Sequence, residues 1–122
     1  TVATRDKQRA DLERRGTAAS RGYGHRWQVA RLGYLRRHPL CVCCLANNRV
    51  AAANLVDHVV PHGGDMAIFW RSEDWQALCT DCHQRIKQPI ELRFKAGSAT
   101  VAELRLDRRL PAYFPPLDGE LA

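Results

Sequence analysis

A chain of 122 residues that is 45% hydrophobic but only 7% aromatic fits one domain with a modest core, the kind that gains from a structural metal. A formal net charge of +6 and a pI of about 9.4 favour a polyanionic partner, most commonly nucleic acid. No apolar run approaches the roughly 18 residues of a membrane span, and no apolar secretory signal opens the sequence, so the reading is cytoplasmic with no membrane partner.

Residues 1–40 hold ten Lys/Arg against three Asp/Glu, whereas the rest hold nine against ten, so the basic surplus sits at the N-terminal side. Residues 1–23 are polar, with Gly16, Ser20 and Gly22 near their end, and read as a frayed or weakly helical basic arm. Residues 25–38 (HRWQVARLGYLRRH) predict a helix. Trp27, Ala30 and Tyr34 share one face, and Val29 and Leu32 widen it. Arg36, Arg37 and His38 suit the negative end of the helix dipole, and Pro39 stops the helix. Arg36 and Arg37 also belong to an expected sequence-neutral grip on nucleic-acid phosphates.

Cys41 and Cys44 form one C-x-x-C knuckle and Cys79 and Cys82 a second, with 34 residues between them. Two such pairs supply the four thiolates that structural zinc prefers, in a closed site with no open position for substrate. In a reducing compartment clustered cysteines bind metal more often than they form disulfides. Cys43 lies inside the first knuckle, reads as a free thiol, and could compete with Cys44 as a ligand.

The insert between the knuckles predicts a strand over 54–60 closed by Pro61, a loop at Gly63–Asp65, and a second short strand over 75–78. A helix capped by Thr80 or Asp81 should run to about Gln88, where Pro89 ends it. Beyond it, Thr100 and Glu103 make a capping-box pattern for a short helix near 101–110, before a Pro-rich tail.

Asp57, His58, His62 and His83 carry the chemistry. A carboxylate is a hard ligand suited to Mg²⁺ or Mn²⁺, and an imidazole titrates near neutrality and can take a proton from water. Hydrolysis of a phosphodiester needs both functions. Adjacent helical residues point about 100° apart, so Cys82 can face the zinc while His83 serves a different ion. Lys87, four residues on, shares the face of His83 and could reach a phosphate. Arg85 is a further phosphate candidate, and His62 an accessory one. In a regular strand residues 57 and 58 face opposite sides, so both reach one site only where the strand ends or bends.

The segments RGYGHRW at 21–27, HPLCVCC at 38–44, VDHVVPHGGD at 56–65 and WQALCTDCHQRIK at 75–87 together resemble the HNH endonuclease family, over residues 21–88. The likeness is to the compact phage-borne HNH proteins that accompany DNA-packaging machinery. It implies an α+β fold: a ββα-metal core with a four-cysteine zinc site and flanking helices. The corresponding organisation is a basic arm at 1–23, a nuclease domain at 24–88 and a C-terminal extension at 89–122.

The resemblance also implies roles. His58 is the general base, Asp57 and His83 ligate the catalytic ion (Mg²⁺, Mn²⁺ or another divalent ion), and Cys41, Cys44, Cys79 and Cys82 hold Zn²⁺. It implies a DNA substrate, products with a 5′-phosphate and a 3′-hydroxyl, phage terminase or packaging proteins as partners, and the host cytoplasm as location for a phage-encoded chain. The middle letter of the motif falls at Asp74, where the family's usual residue is asparagine, a brace for the base histidine. Aspartate accepts hydrogen bonds but cannot donate them. It could accept from backbone N–H groups or move toward the metal. The alternative function is therefore a catalytically weakened DNA-binding or packaging-partner module.

Overall fold

A computed structural model describes residues 18–116, with side chains from residue 24 onward. The chain divides into two compact units, residues 1–33 and 34–122. Helix α1 (Ala18–Arg37) runs through the boundary. It begins seven residues before the expected 25, taking in Gly22 and Gly24 although glycine costs about 1 kcal/mol in a helix interior. Val29 and Leu32, expected to widen a buried face, are 60% and 44% exposed. The helix ends where expected: the His38 N–H still bonds the Tyr34 carbonyl, and Pro39 follows. The rest of the basic arm lies outside the described residues.

In the second unit the first knuckle forms α2 (Val42–Ala46), capped at its start by Cys41, whose sulfur accepts the Cys44 N–H at 3.5 Å. The chain leaves α2 through Asn48 at φ 63, a left-handed position that asparagine tolerates. Strand β1 (Leu55–His58) pairs antiparallel with β2 (Trp75–Leu78). The register sets Asp57 opposite Gln76 and His58 opposite Trp75. Between the strands, Asp65 caps the short helix α3 (Met66–Phe69), accepting from the Ala67 and Ile68 N–H groups. A 3-10 turn (Ser72–Asp74) then leads into β2.

After β2 the helix does not stop at Pro89. Helix α4 (Thr80–Cys82), a π-helical turn (His83–Lys87) and α5 (Gln88–Lys95) follow without a break. The Gln88 N–H reaches back five residues to the His83 carbonyl. Proline has no N–H to give and crowds the carbonyl four residues back, and the wider π turn just before it accommodates both defects. The last helix, α6 (Val101–Leu104), is shorter than expected, but the predicted capping box is there: Glu103 accepts the Thr100 N–H at 3.1 Å.

The core joins the knuckles Cys41, Cys43, Cys44 and Cys82 to Val59, Leu78, Ile86, Ile90, Leu104, Leu106 and Leu110. Residues beyond 88 thus contribute core side chains. Two buried amides tie this C-terminal part down. Asn47 donates to the Cys43 and Arg108 carbonyls and accepts from the Leu110 N–H. Gln76 donates to the Leu104 carbonyl and accepts from the Leu106 N–H. Each satisfies backbone groups of an irregular segment that would otherwise be buried without partners.

Candidate metal centres and active site

The four knuckle sulfurs lie within 4.8 Å of one another. Four thiolates around one zinc at about 2.3 Å have sulfurs about 3.8 Å apart. Cys44 lies 3.8 Å from Cys79 and 3.5 Å from Cys82, so the cluster fits one tetrahedral ion. The knuckles are alike: Cys79 accepts the Cys82 N–H at 3.4 Å, as Cys41 accepts that of Cys44. A hydrogen bond to Cys82 and then burial push the Cys41 thiol up to about 12, and burial pushes Cys44 up to about 12. A metal entering this cluster must therefore displace protons. Cys43 is fully buried beside Cys82 and outside the four-ligand set, so Cys44 is the sulfur that joins Cys41 in the cluster.

A cleft of about 430 Å³ opens beside β1, lined by Asp57, His58, His62, His83, Glu91 and Lys95 together with apolar residues of β1 and Pro61. Asp57 and His58, the last two residues of β1, both line this cleft. Asp57 Oδ1 lies 3.4 Å from His83 Nε2. Octahedral ligands at about 2.1 Å from one ion sit about 3 Å apart, so small adjustments would let this pair share a hard divalent cation. Two protein ligands leave positions for water and phosphate, as such ions prefer.

The other Asp57 oxygen is fully engaged. Oδ2 accepts from Gln76 Nε2 at 2.9 Å and lies 3.0 Å from Lys87 Nζ. Lys87 is buried, and its ammonium also bonds Glu91 and, at 3.0 Å, the His58 carbonyl. The expectation that Lys87 touches a phosphate is thereby corrected. The π turn carries it inward, and its charge offsets two carboxylates inside the fold. Arg85, half-exposed, pairs with Asp81 at 2.9 Å and does not line the cleft. Lys95, exposed at the end of α5, is the lysine that does, and it makes no hydrogen bond or ion pair among the described residues.

His58 donates from Nε2 to the Phe69 carbonyl at 3.0 Å, so its neutral ring carries the lone pair on Nδ1. Trp75 Nε1 donates to the same carbonyl at 2.9 Å. The His58 ring packs against Phe69, His62 and Trp75. Burial, then the neighbouring His62, lower its pKa from the usual 6.5.

Asp74 stands apart from the cleft. Its carboxylate faces Arg105 at 3.3 Å and Arg71 at 3.5 Å, and its main-chain carbonyl accepts the Val59 N–H at 2.8 Å. It has not moved toward Asp57 and His83. Its backbone braces the residue after His58, while two arginines hold its side chain. Sequence reasoning misses Gln76, Glu91, Lys95 and the Phe69 carbonyl. Gln76 and Phe69 act only through the register and loop geometry, which no residue spacing announces. Lys95 shows at most as a basic residue after Pro89, beyond the point where the sequence places the helix end.

A two-stranded antiparallel sheet, a following helix with a histidine at its start, and a four-cysteine cluster define the ββα-metal class. The chain has the fold of the HNH endonucleases. It is similar to the HNH endonuclease of deep-sea thermophilic bacteriophage GVE2, solved with manganese ion, at 28% identity and a TM-score of 0.52, over 70% of this chain and 96% of that one. No protein-family model and no curated protein matches the chain. Among the described residues no helix is long and apolar enough to cross a membrane.

Proposed function

We propose that this chain is a metal-dependent DNA endonuclease that hydrolyses phosphodiester bonds, with zinc in the four-cysteine cluster and Mg²⁺ or Mn²⁺ between Asp57 and His83. The observation that carries this reading is the cleft in which Asp57 Oδ1, His83 Nε2 and the His58 ring converge. The GVE2 likeness supports it, both as an HNH endonuclease and as a structure with manganese ion. Asp57 and His83 would hold a cation there, which would supply polarisation of the phosphate and offset the charge that develops on it. His58, fixed by the Phe69 carbonyl, takes a proton from the attacking water at Nδ1.

The 3′-oxygen leaves as the water oxygen bonds to phosphorus, and the departing oxygen takes a proton from bulk water, giving a 5′-phosphate and a 3′-hydroxyl. Lys95 at the lip of the cleft takes the phosphate contact that spacing alone suggests for Lys87, and Arg36 and Arg37, exposed at the end of α1, add grip. The organisation proposed is a basic arm, a nuclease core and a C-terminal segment packed into that core. Phage DNA packaging, with terminase as partner, in the host cytoplasm is the setting proposed from the resemblance of the sequence motifs to the compact phage-borne HNH proteins.

Plasmid nicking with Mg²⁺ or Mn²⁺ tests the activity. His58→Ala should lower the rate by about 100-fold or more at a temperature where both proteins are folded by circular dichroism, leaving DNA affinity close to wild type. Equal cleavage by the variant would remove His58 from the role of base. No cutting by the wild type with either ion, together with salt-sensitive DNA binding, would replace the nuclease with a binding module.

A further inference from the structure

His62 is the cleft histidine without a role in the scheme above. Its ring stands edge-on to His58, with centroids 5.0 Å apart, and edge-on to Phe69 at 4.8 Å. The chain then turns sharply. Gly63 has φ +56 and Gly64 φ +88, left-handed conformations that glycine adopts without cost from a Cβ. An added Cβ would meet nothing within 4 Å at either position, so backbone conformation, and not space, calls for glycine there. The turn swings the Gly64 N–H back onto His62 Nδ1 at 3.0 Å.

That bond sets the polarity of the ring. Nδ1 accepts, so the proton of the neutral imidazole sits on Nε2. His58 has the reverse arrangement: its Nε2–H donates to Phe69, and its lone pair is on Nδ1. Two neighbouring imidazoles lining one cleft are thus fixed as one acceptor and one donor.

We propose that His62 is a catalytic residue that donates an Nε2–H hydrogen bond to a non-bridging oxygen of the phosphodiester under attack. This rests on the nuclease reading given above. The step moves no proton at His62. Surrendering the Nε2 proton while Nδ1 accepts from Gly64 would leave an imidazolate, so the ring stabilises charge and does not act as the acid. The water proton goes to His58 alone. A fixed donor of this kind gains as negative charge builds on the phosphate oxygens.

Two variants and one spectroscopic measurement test this. His62→Phe keeps an aromatic ring against Phe69 but has no donor, whereas His62→Gln retains an N–H. On plasmid DNA with Mn²⁺, His62→Phe should lower kcat by about 100-fold with KM changed less than about threefold, and His62→Gln should recover most of the loss. Long-range ¹⁵N–¹H spectra of the wild type without divalent ion should show His62 as the Nε2–H tautomer, and a short DNA duplex should shift that Nε2 resonance. Equal loss in both variants, or a wild-type rate in His62→Phe beside a dead His58→Ala, would overturn the donor role and leave the nuclease intact. An Nδ1–H tautomer, or no shift with DNA, would overturn it independently of any cleavage. A wild type that never cuts would strike the nuclease reading itself.

Discussion

Asp57 is held through both of its carboxylate oxygens. It is 4% exposed, and its Oδ2 faces a neutral amide and an ammonium while Oδ1 faces His83. Buried charges persist when paired and hydrogen-bonded, and Lys87, shared between Asp57 and Glu91, provides the pairing here. The arrangement leaves one oxygen directed toward His83. At His58 beside it, burial and then the nearby His62 disfavour the protonated form. Its proton-accepting form therefore persists somewhat below the usual imidazole range. The acid limb of the cleavage rate should have its midpoint below pH 6.5, the unperturbed value. A pH–rate profile for plasmid nicking checks this, and a midpoint above 6.5 would contradict it. The folded ring binds its proton less readily than the unfolded one. The stability His58 contributes is therefore present above pH 6.5 and is lost as pH falls from there through the lower folded value.

Asp57, His58 and His83 can be picked out from sequence because their residue types fit ion binding and base chemistry. Lys87 is misplaced by the same reasoning, for a cause that also belongs to this scale. Spacing gives the face of a residue but not whether that face is buried.

The strand pair and the helix after it convert those residues into a site. The register that sets Gln76 opposite Asp57 makes one amide serve two purposes. Its nitrogen holds Asp57 and the Leu104 carbonyl, and its oxygen holds the Leu106 N–H. Gln76→Leu would strip partners from these buried groups, and should cost about 1–3 kcal/mol of unfolding free energy, read from urea denaturation. The same variant should cleave more slowly than wild type under conditions where both are fully folded. An unchanged rate would show that Asp57 needs no such support. The helix from Thr80 to Lys95 departs from its sequence pattern at one place. A proline inside a helical pattern ordinarily ends the helix, but Pro89 sits just beyond a π turn that spans His83 to Lys87, and the helix continues through it. Such turns widen the helix and often occur at functional sites, and this one turns His83 toward the cleft and Lys87 toward Asp57.

At the scale of the whole molecule, the two knuckles bring together chain segments separated by 34 residues, and the insert between them carries much of the cleft. Because the core is small and the cysteines are part of it, the bound metal should supply much of the folding free energy. Metal analysis should return about one zinc per chain. Removing it with a strong chelator should abolish the cooperative thermal transition followed by circular dichroism. A chelated protein that melts as the untreated one does would refute the staple.

Read along the chain, residue type, spacing and periodicity are enough to mark the chemistry-bearing residues, the two C-x-x-C pairs and the strand pair, and the motifs they build point to the ββα-metal class. Those are local properties, written in consecutive residues. Which groups meet is a different matter. Lys87 is buried on Asp57, Lys95 takes its place at the cleft, Asp74 pairs with Arg105, and the residues after 88 complete the core. These outcomes depend on strand register, on a π turn and on packing between distant segments, and no local pattern in a sequence encodes such distances.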